Sequence, residues 1–224
     1  MITLDEIRRN YEDVCARIED ASARAGAKED VRLIAVTKTH PIELVQLARE
    51  AGMHTFGENR PQELAAKAPQ LVDATWCAIG QLQRNKAKDV AAHADEFHAL
   101  DSLKVADALE RRLERTLDVF VQVNISGEQQ KSGVAPEDAA EFLAALHHEH
   151  LRVRGLMTIA RNDDEAVVRK NFADLRELRD ALLPDFPQVR ELSMGMSGDF
   201  EWAIEEGATS VRVGSALFGR RQAM

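Results

Sequence analysis

Two cysteines, Cys15 and Cys77, are all the thiol this chain carries, and they form no CxxC pair. Neither a zinc site nor a disulfide framework is indicated by that spacing. Basic charge is also in deficit, since 29 Lys and Arg against 38 Asp and Glu leave a net charge of −9. Proteins that bind nucleic acid or anionic membranes usually present a basic field, so neither partner is expected. No apolar run reaches bilayer length, and the opening MITLDEIRRNYEDV lacks the apolar centre of a signal peptide. No Pro/Gly/Ser-rich linker or shift in composition divides the chain. The expectation is a cytoplasmic protein whose residues 1–224 form a single domain, long enough to bury one substantial core.

What the chain does have is alternation. Thr3 with Glu6 makes a capping-box start, and Leu4, Ile7, Tyr11, Val14 and Ile18 recur at helical spacing. This predicts an N-terminal helix from Thr3 to about Arg24, stopped by Gly26. Beyond it, β-prone runs fall at 31–37, 54–57, 75–80, 96–100, 118–124, 153–159, 190–194 and 210–213. Segments of helical period lie between them, among them Pro41–Ala51, Ser102–Thr116, Pro136–His148 and Asp163–Leu183. Eight strand–helix units of roughly twenty-odd residues lie near the lower size limit of a closed (β/α)8 barrel. The fold class predicted is therefore α/β, a single (β/α)8 TIM barrel preceded by an N-terminal helix. A doubly wound open sheet is the alternative.

In such barrels chemistry gathers at the C-terminal ends of the strands, and phosphate often binds in the loops after strands seven and eight. Polar residues fall at those places here. Lys38 ends the first strand in VRLIAVTK, and Asn59 follows the second in TFGEN. Gly80 closes the third, Asp101 and Ser102 the fourth, Asn124 the fifth, and Thr158 stands near the end of the sixth. The seventh runs into LSMGMSGDF and the eighth into VRVGSALFG. Each of these places Gly and Ser before an expected helix start, at Met196-Ser197-Gly198 and Gly214-Ser215-Ala216. Backbone N–H groups at such starts, joined by small hydroxyls, suit a phosphate dianion. Lys38 then has two readings. One is a rim lysine that snorkels to solvent. The other is a Schiff-base lysine, kept neutral by desolvation and nearby positive charge. A phosphate cup across the mouth from such a lysine suits either a sugar-phosphate aldolase substrate or pyridoxal 5'-phosphate (PLP).

With FGEN, IGQLQRNK, NISGEQQKSG, GLMTI, LSMGMSGDFEWAI and VRVGSALFGRR added to Lys38, the sequence resembles the PLP homeostasis proteins from about residue 5 to 221. The resemblance implies a TIM barrel like the N-terminal domain of alanine racemase, with PLP at its mouth. It implies a carrier or regulator in vitamin B6 and amino-acid homeostasis, without established enzymatic turnover. By the same resemblance Lys38 forms the internal aldimine, Ser197, Gly214 and Ser215 hold the phosphate, and Arg212 faces the pyridine nitrogen. Asn59 would lie near the ring, and Met194 would pack on the cofactor face. PLP and PLP-dependent apo-enzymes are the implied partners, and nothing demands more than a monomer. The family commonly has serine where Thr37 stands, tyrosine at Arg60 and histidine at Cys77, departures that touch the lining and rim.

The alternative is a PLP-dependent amino-acid racemase or related enzyme. A guanidinium stays charged and cannot take the pyridinium proton, so Arg212 at the ring nitrogen would weaken the electron sink. Racemases of this resemblance draw a second base, a tyrosine, from an additional C-terminal domain. Here the sequence ends about ten residues past the eighth strand, and its one tyrosine, Tyr11, belongs to the first helix. His40, His54 and His98 are expected as solvated loop histidines. His147 and His150 of HHEH are expected at an exposed helix end, and EFHAL offers no metal-ligand spacing. Lys131 of QQKSG falls near the mouth as a secondary cation or transient PLP site.

Overall fold

In the computed structural model, which describes residues 2–27, 30–128 and 130–219, the capping box opens the first helix. Thr3 N–H donates to Glu6 Oε2 at 2.7 Å, and Glu6 N–H donates back to Thr3 Oγ1 at 3.3 Å. Helix α1 (Leu4–Ala25) buries Ile7, Val14, Ile18 and Ala21 along one stripe and stops at Gly26, which takes the left-handed conformation at φ 62°. The eight strands follow as β1 (Arg32–Val36), β2 (Thr55–Glu58), β3 (Thr75–Ala78), β4 (Glu96–Leu100), β5 (Leu117–Gln122), β6 (Leu151–Met157), β7 (Glu191–Met196) and β8 (Ser210–Val213). The helices between and after them are α2 (Ile42–Glu50), α3 (Pro61–Lys67), α4 (Ala87–His93), α5 (Leu103–Glu110), α6 (Ala139–Ala144), α7 (Glu165–Leu182), α8 (Phe200–Glu205) and α9 (Ser215–Phe218).

The strands pair in parallel and in sequence order into one closed barrel, sealed where β8 meets β1 with Ile34 opposite Arg212. Closure removes every sheet edge, and strands covered on both faces read as the near-continuous apolar runs seen here. The open-sheet alternative is excluded by that closure. Helix α1 packs beside the seam, against α2, α8 and α9. Asn10 Nδ2 donates to Leu217 O at 2.8 Å, and Arg17 and Arg24 pair with Glu201 and Glu205 at 2.8 and 2.7 Å.

Two segments depart from expectation. The helix expected over Ser102–Thr116 ends at Glu110, because eight residues rise about 12 Å, enough to run back along β4. The segment expected as one helix over Pro136–His148 is a 3₁₀ turn (Pro136–Asp138) followed by α6. His147 to His150 therefore lie in the connection to β6 rather than on a helix end. His148 Nε2 sits 3.1 Å from Asp107 Oδ1, and His150 Nδ1 sits 2.9 Å from Glu110 Oε1. Among the described residues no helix is long and apolar enough to cross a membrane.

The barrel interior is divided in character. Ile34, Val36, Cys77 and Ile79 form a small apolar cluster separate from the main core. Polar side chains also meet inside the barrel, where β4 and β7 hydrogen-bond to one another through side chains without being neighbouring strands.

Candidate functional site

At the C-terminal ends of the strands a cleft of about 440 Å³ is lined by Lys38, Asn59, Ser197, Arg212, Gly214 and Ser215, together with His40, Met196 and apolar neighbours. Six of the seven residues expected at a site are thus gathered in one place. Met194 is the exception, fully buried in the main core and outside the lining. The reason is local. Ser193 points across the barrel interior, so its neighbour Met194 faces outward, and Gly195 at φ 95° breaks the alternation. Met196 then turns into the mouth in its place. A larger hollow of about 540 Å³ lies between α1 and the outer face of β1, lined by Tyr11, Cys15, His54 and others. Among the described residues it brings together no lysine and no Gly-Ser turns, whereas the mouth brings together both.

Lys38 stands half-buried in a turn that both its neighbours anchor. Thr37 is fully buried; its hydroxyl donates to Glu58 Oε1 at 2.6 Å and its carbonyl accepts from Lys67 Nζ at 3.0 Å. Thr39 holds φ at 67°, an unusual conformation for a β-branched residue, while its N–H donates to Glu63 Oε2 at 2.6 Å. Lys67 Nζ ties the set together, 2.6 Å from Glu58 Oε1 and 3.3 Å from Glu63 Oε2. Burial pushes the Glu58 carboxyl up, against the pull of Lys67 and Thr37. Glu63 is also pushed up by burial, but the Thr39 N–H and the Lys67 charge bring it below the usual range.

Across the mouth, two backbone donors converge on one oxygen. The N–H groups of Gly214 and Ala216 point at Ser197 Oγ, at 3.1 and 3.3 Å. Helices α8 and α9 are only six and four residues long, so the anion-binding character rests on these N–H groups and hydroxyls rather than on a long helix dipole. Gly214 matters by what it lacks: a Cβ there would lie 3.2 Å from the Val36 carbonyl, where β8 closes on β1. Gly80 does the same for Asn59, whose carbonyl would sit 2.1 Å from an added Cβ.

The floor of the cleft is Arg212, 4% exposed. Its Nη1 donates to Ser193 Oγ and its Nη2 to the Thr158 carbonyl, each at 2.8 Å. Among the described residues no carboxylate hydrogen-bonds to it. Burial lowers its pKa to about 10, with the charge of Asp199 opposing, so it stays a cation at neutral pH. Behind it a chain of side chains crosses the barrel. Ser193 Oγ lies 2.8 Å from His98 Nδ1, His98 Nε2 lies 2.7 Å from Glu96 Oε2, and Arg32 grips both Glu96 oxygens from the strand starts. The carboxylate can only accept, so His98 carries its proton on Nε2 and its Nδ1 receives the Ser193 hydroxyl proton. The Ser193 oxygen is then left to accept from Arg212. Burial lowers the His98 pKa, which agrees with this neutral ring.

His98 is accordingly a correction: it is wholly buried, with its ring stacked on Phe120 at 4.1 Å, and is no solvated loop residue. His54 is exposed, and His40 is half-buried with its ring 5.4 Å from that of Phe218. Cys77 Sγ lies 3.7 Å from Glu96 Oε2, and its thiol pKa is pushed well up by burial. Donor atoms of Cys77, Glu96 and His98 come within 4.8 Å of one another, as a metal site would require. The Arg32 guanidinium already supplies the cation. The signal missed in sequence was period two: Glu96 and His98, two apart on one strand, share a face. Lys131 lies beside Asn59 and Asn124 in a neighbouring hollow of about 220 Å³, paired with Glu128 and donating to Ala160 O at 3.3 Å.

This donor set fits PLP. A primary amine faces the cleft, two N–H groups and two serines can take a phosphate, and a guanidinium without a carboxylate partner lies between them. The family model for the N-terminal domain of alanine racemase matches residues 2–222. The pyridoxal phosphate homeostasis protein of Vibrio cholerae is 42% identical over 230 residues, 96% of each chain. PipY of Synechococcus elongatus, solved with PLP bound, is 37% identical with a TM-score of 0.78, over 90% of this chain and 100% of that one. Alanine racemase of Corynebacterium glutamicum shares the fold at a TM-score of 0.73 and 18% identity, over 97% of this chain and 61% of that one.

Proposed function

The chain belongs to the pyridoxal phosphate homeostasis proteins, within the family of alanine racemase N-terminal domains, and from that premise we propose that it holds PLP at the mouth of its barrel as a carrier or regulator of the cofactor. PLP supplies an aldehyde that condenses with primary amines, an electron-withdrawing ring and a phosphate anchor. Lys38 would be the amine that holds the aldehyde. Ser197, Ser215 and the N–H groups of Gly214 and Ala216 bind the phosphate. Arg212 would face the ring nitrogen and, keeping its own proton, would not protonate it. Asn59 borders the ring.

The observation that carries this reading is the convergence of Lys38, the Gly214–Ala216 donors and Arg212 in one 440 Å³ cleft. Holding rather than catalysis is supported by the lining. Among its described residues His40 is the one imidazole, and there is no tyrosine. We place the protein in the cytoplasm, as a single domain and a monomer, with PLP-dependent apo-enzymes as recipients.

The test is the near-visible absorption of purified protein given PLP, before and after borohydride, with Lys38→Ala alongside. A band that borohydride fixes to Lys38, and that Lys38→Ala lacks, is expected. Absence of any band after added PLP would overturn the reading. Robust turnover of alanine or serine enantiomers, abolished in Lys38→Ala, would replace the carrier with an enzyme.

A further inference from the structure

We propose that Glu63, together with Lys67 and Glu58, is a positioning residue that clamps the Thr37–Lys38–Thr39 turn so that the Lys38 amine is presented to the cofactor. The inference rests on the reading of Lys38 as the point of PLP attachment. Three observations carry it. The turn is bound on both sides of Lys38 by one side-chain cluster from β2 and α3: Thr37 through Glu58 and Lys67, Thr39 through Glu63. Thr39 sits at φ 67°, a region that a β-branched residue leaves unless the surroundings hold it. Two members of the cluster are buried, Lys67 at 6% and Glu58 at 1% exposed, and they anchor the half-buried Glu63 through Lys67 Nζ.

The division of labour follows from geometry. Glu58 and Lys67 fix Thr37, the last residue before the lysine, and continue the strand's direction past its end. Glu63, on the first turn of α3, accepts the Thr39 N–H and so sets the reversal after the lysine. With the chain fixed before and after it, Lys38 has only side-chain freedom to lose when it bonds to the cofactor. Pre-organisation of this kind lowers the entropy lost on attachment. None of the three carboxylate or ammonium groups lines the cleft, so they act through the turn and not on the ligand.

The test uses the full chain and separates attachment from binding. Wild type, Glu63→Ala and Glu63→Gln are mixed with PLP, and the fraction fixed to Lys38 by borohydride is followed by mass over time. Affinity for pyridoxine 5'-phosphate, which lacks the aldehyde, is measured in parallel. Glu63→Ala should slow attachment about tenfold, the worth of one charge-assisted hydrogen bond, with pyridoxine 5'-phosphate affinity unchanged. Glu63→Gln keeps an acceptor for the Thr39 N–H and should attach at close to the wild-type rate. Attachment by Glu63→Ala at the wild-type rate would overturn the clamp, as would an equal loss of pyridoxine 5'-phosphate affinity. Failure of wild type itself to take up PLP would overturn the cofactor reading and the clamp with it, an outcome distinct from the other two.

Discussion

Glu96→Gln removes one negative charge from the start of β4, and the structure says how much stability should go with it and at which pH. The carboxylate is 7% exposed and bonded to His98 and, through both oxygens, to Arg32. Burial alone would raise its pKa; the His98 and Arg32 contacts outweigh that and bring it from the ordinary 4.5 to about 2. At 1.36 kcal/mol per pH unit this is worth roughly 3 kcal/mol, and somewhat less because Arg32 reaches solvent. A carboxylate with a depressed folded pKa contributes fully above its unfolded value. Its contribution is lost as pH falls from 4.5 towards 2. His98 acts over a different interval: burial disfavours its charged form and Glu96 partly offsets that, so it destabilises the fold as pH drops below about 6.5, and more so in the variant. Urea unfolding of wild type and variant, from pH 7 down to 2.5, reads Glu96 together with its coupling to His98. The variant should be less stable by about 2–3 kcal/mol at pH 7, with the gap no narrower at pH 5 and closing below it. A gap absent at pH 7, or one unchanged down to pH 2.5, would refute the assignment.

Ser193→Ala leaves Arg212 with the Thr158 carbonyl alone; the near-visible band of bound PLP should shift while borohydride still fixes it to Lys38. Ser197→Ala removes the hydroxyl on which two backbone N–H groups converge, and equilibrium dialysis should find PLP affinity lowered about tenfold. Gly80→Ala drives a Cβ to 2.1 Å from the Asn59 carbonyl, so the melting temperature should fall by roughly 5 °C in a thermal scan. Cys77, fully buried with its thiol pKa raised by burial, should resist thiol reagents in the folded protein and react once urea unfolds it.

Much of the fold was legible because its signals are local. The Thr3–Glu6 capping box, the stripe Ile7, Val14 and Ile18, and the stop at Gly26 predicted α1 to within a residue or two. The β-prone runs marked all eight strands, although buried Glu96, His98, Ser193 and Arg212 interrupt their apolar character. Helix lengths after β4 and β5 were overrun, since helical period continues in sequence after the chain has already reached its turn. Lys38, Asn59, Ser197, Arg212, Gly214 and Ser215 share one cleft because all follow or end strands at the same pole of the barrel. Met194 fell outside it by alternation from the inward Ser193, while the positive φ of Gly195 turned Met196 into the mouth, which no periodicity discloses.

Sequence by itself determined the order of elements and the chemistry at the strand ends, because caps, turns and periodicity act over a few residues. Only the tertiary structure decided what stands behind that chemistry. Arg32 meets Glu96 across 64 residues, His98 meets Ser193 across 95, and Lys67 reaches the Thr37 carbonyl across 30. The first two pairs form only when eight strands close into a ring, because closure brings inward positions of non-neighbouring strands within hydrogen-bond distance; the third needs α3 to pack back beside the end of β1.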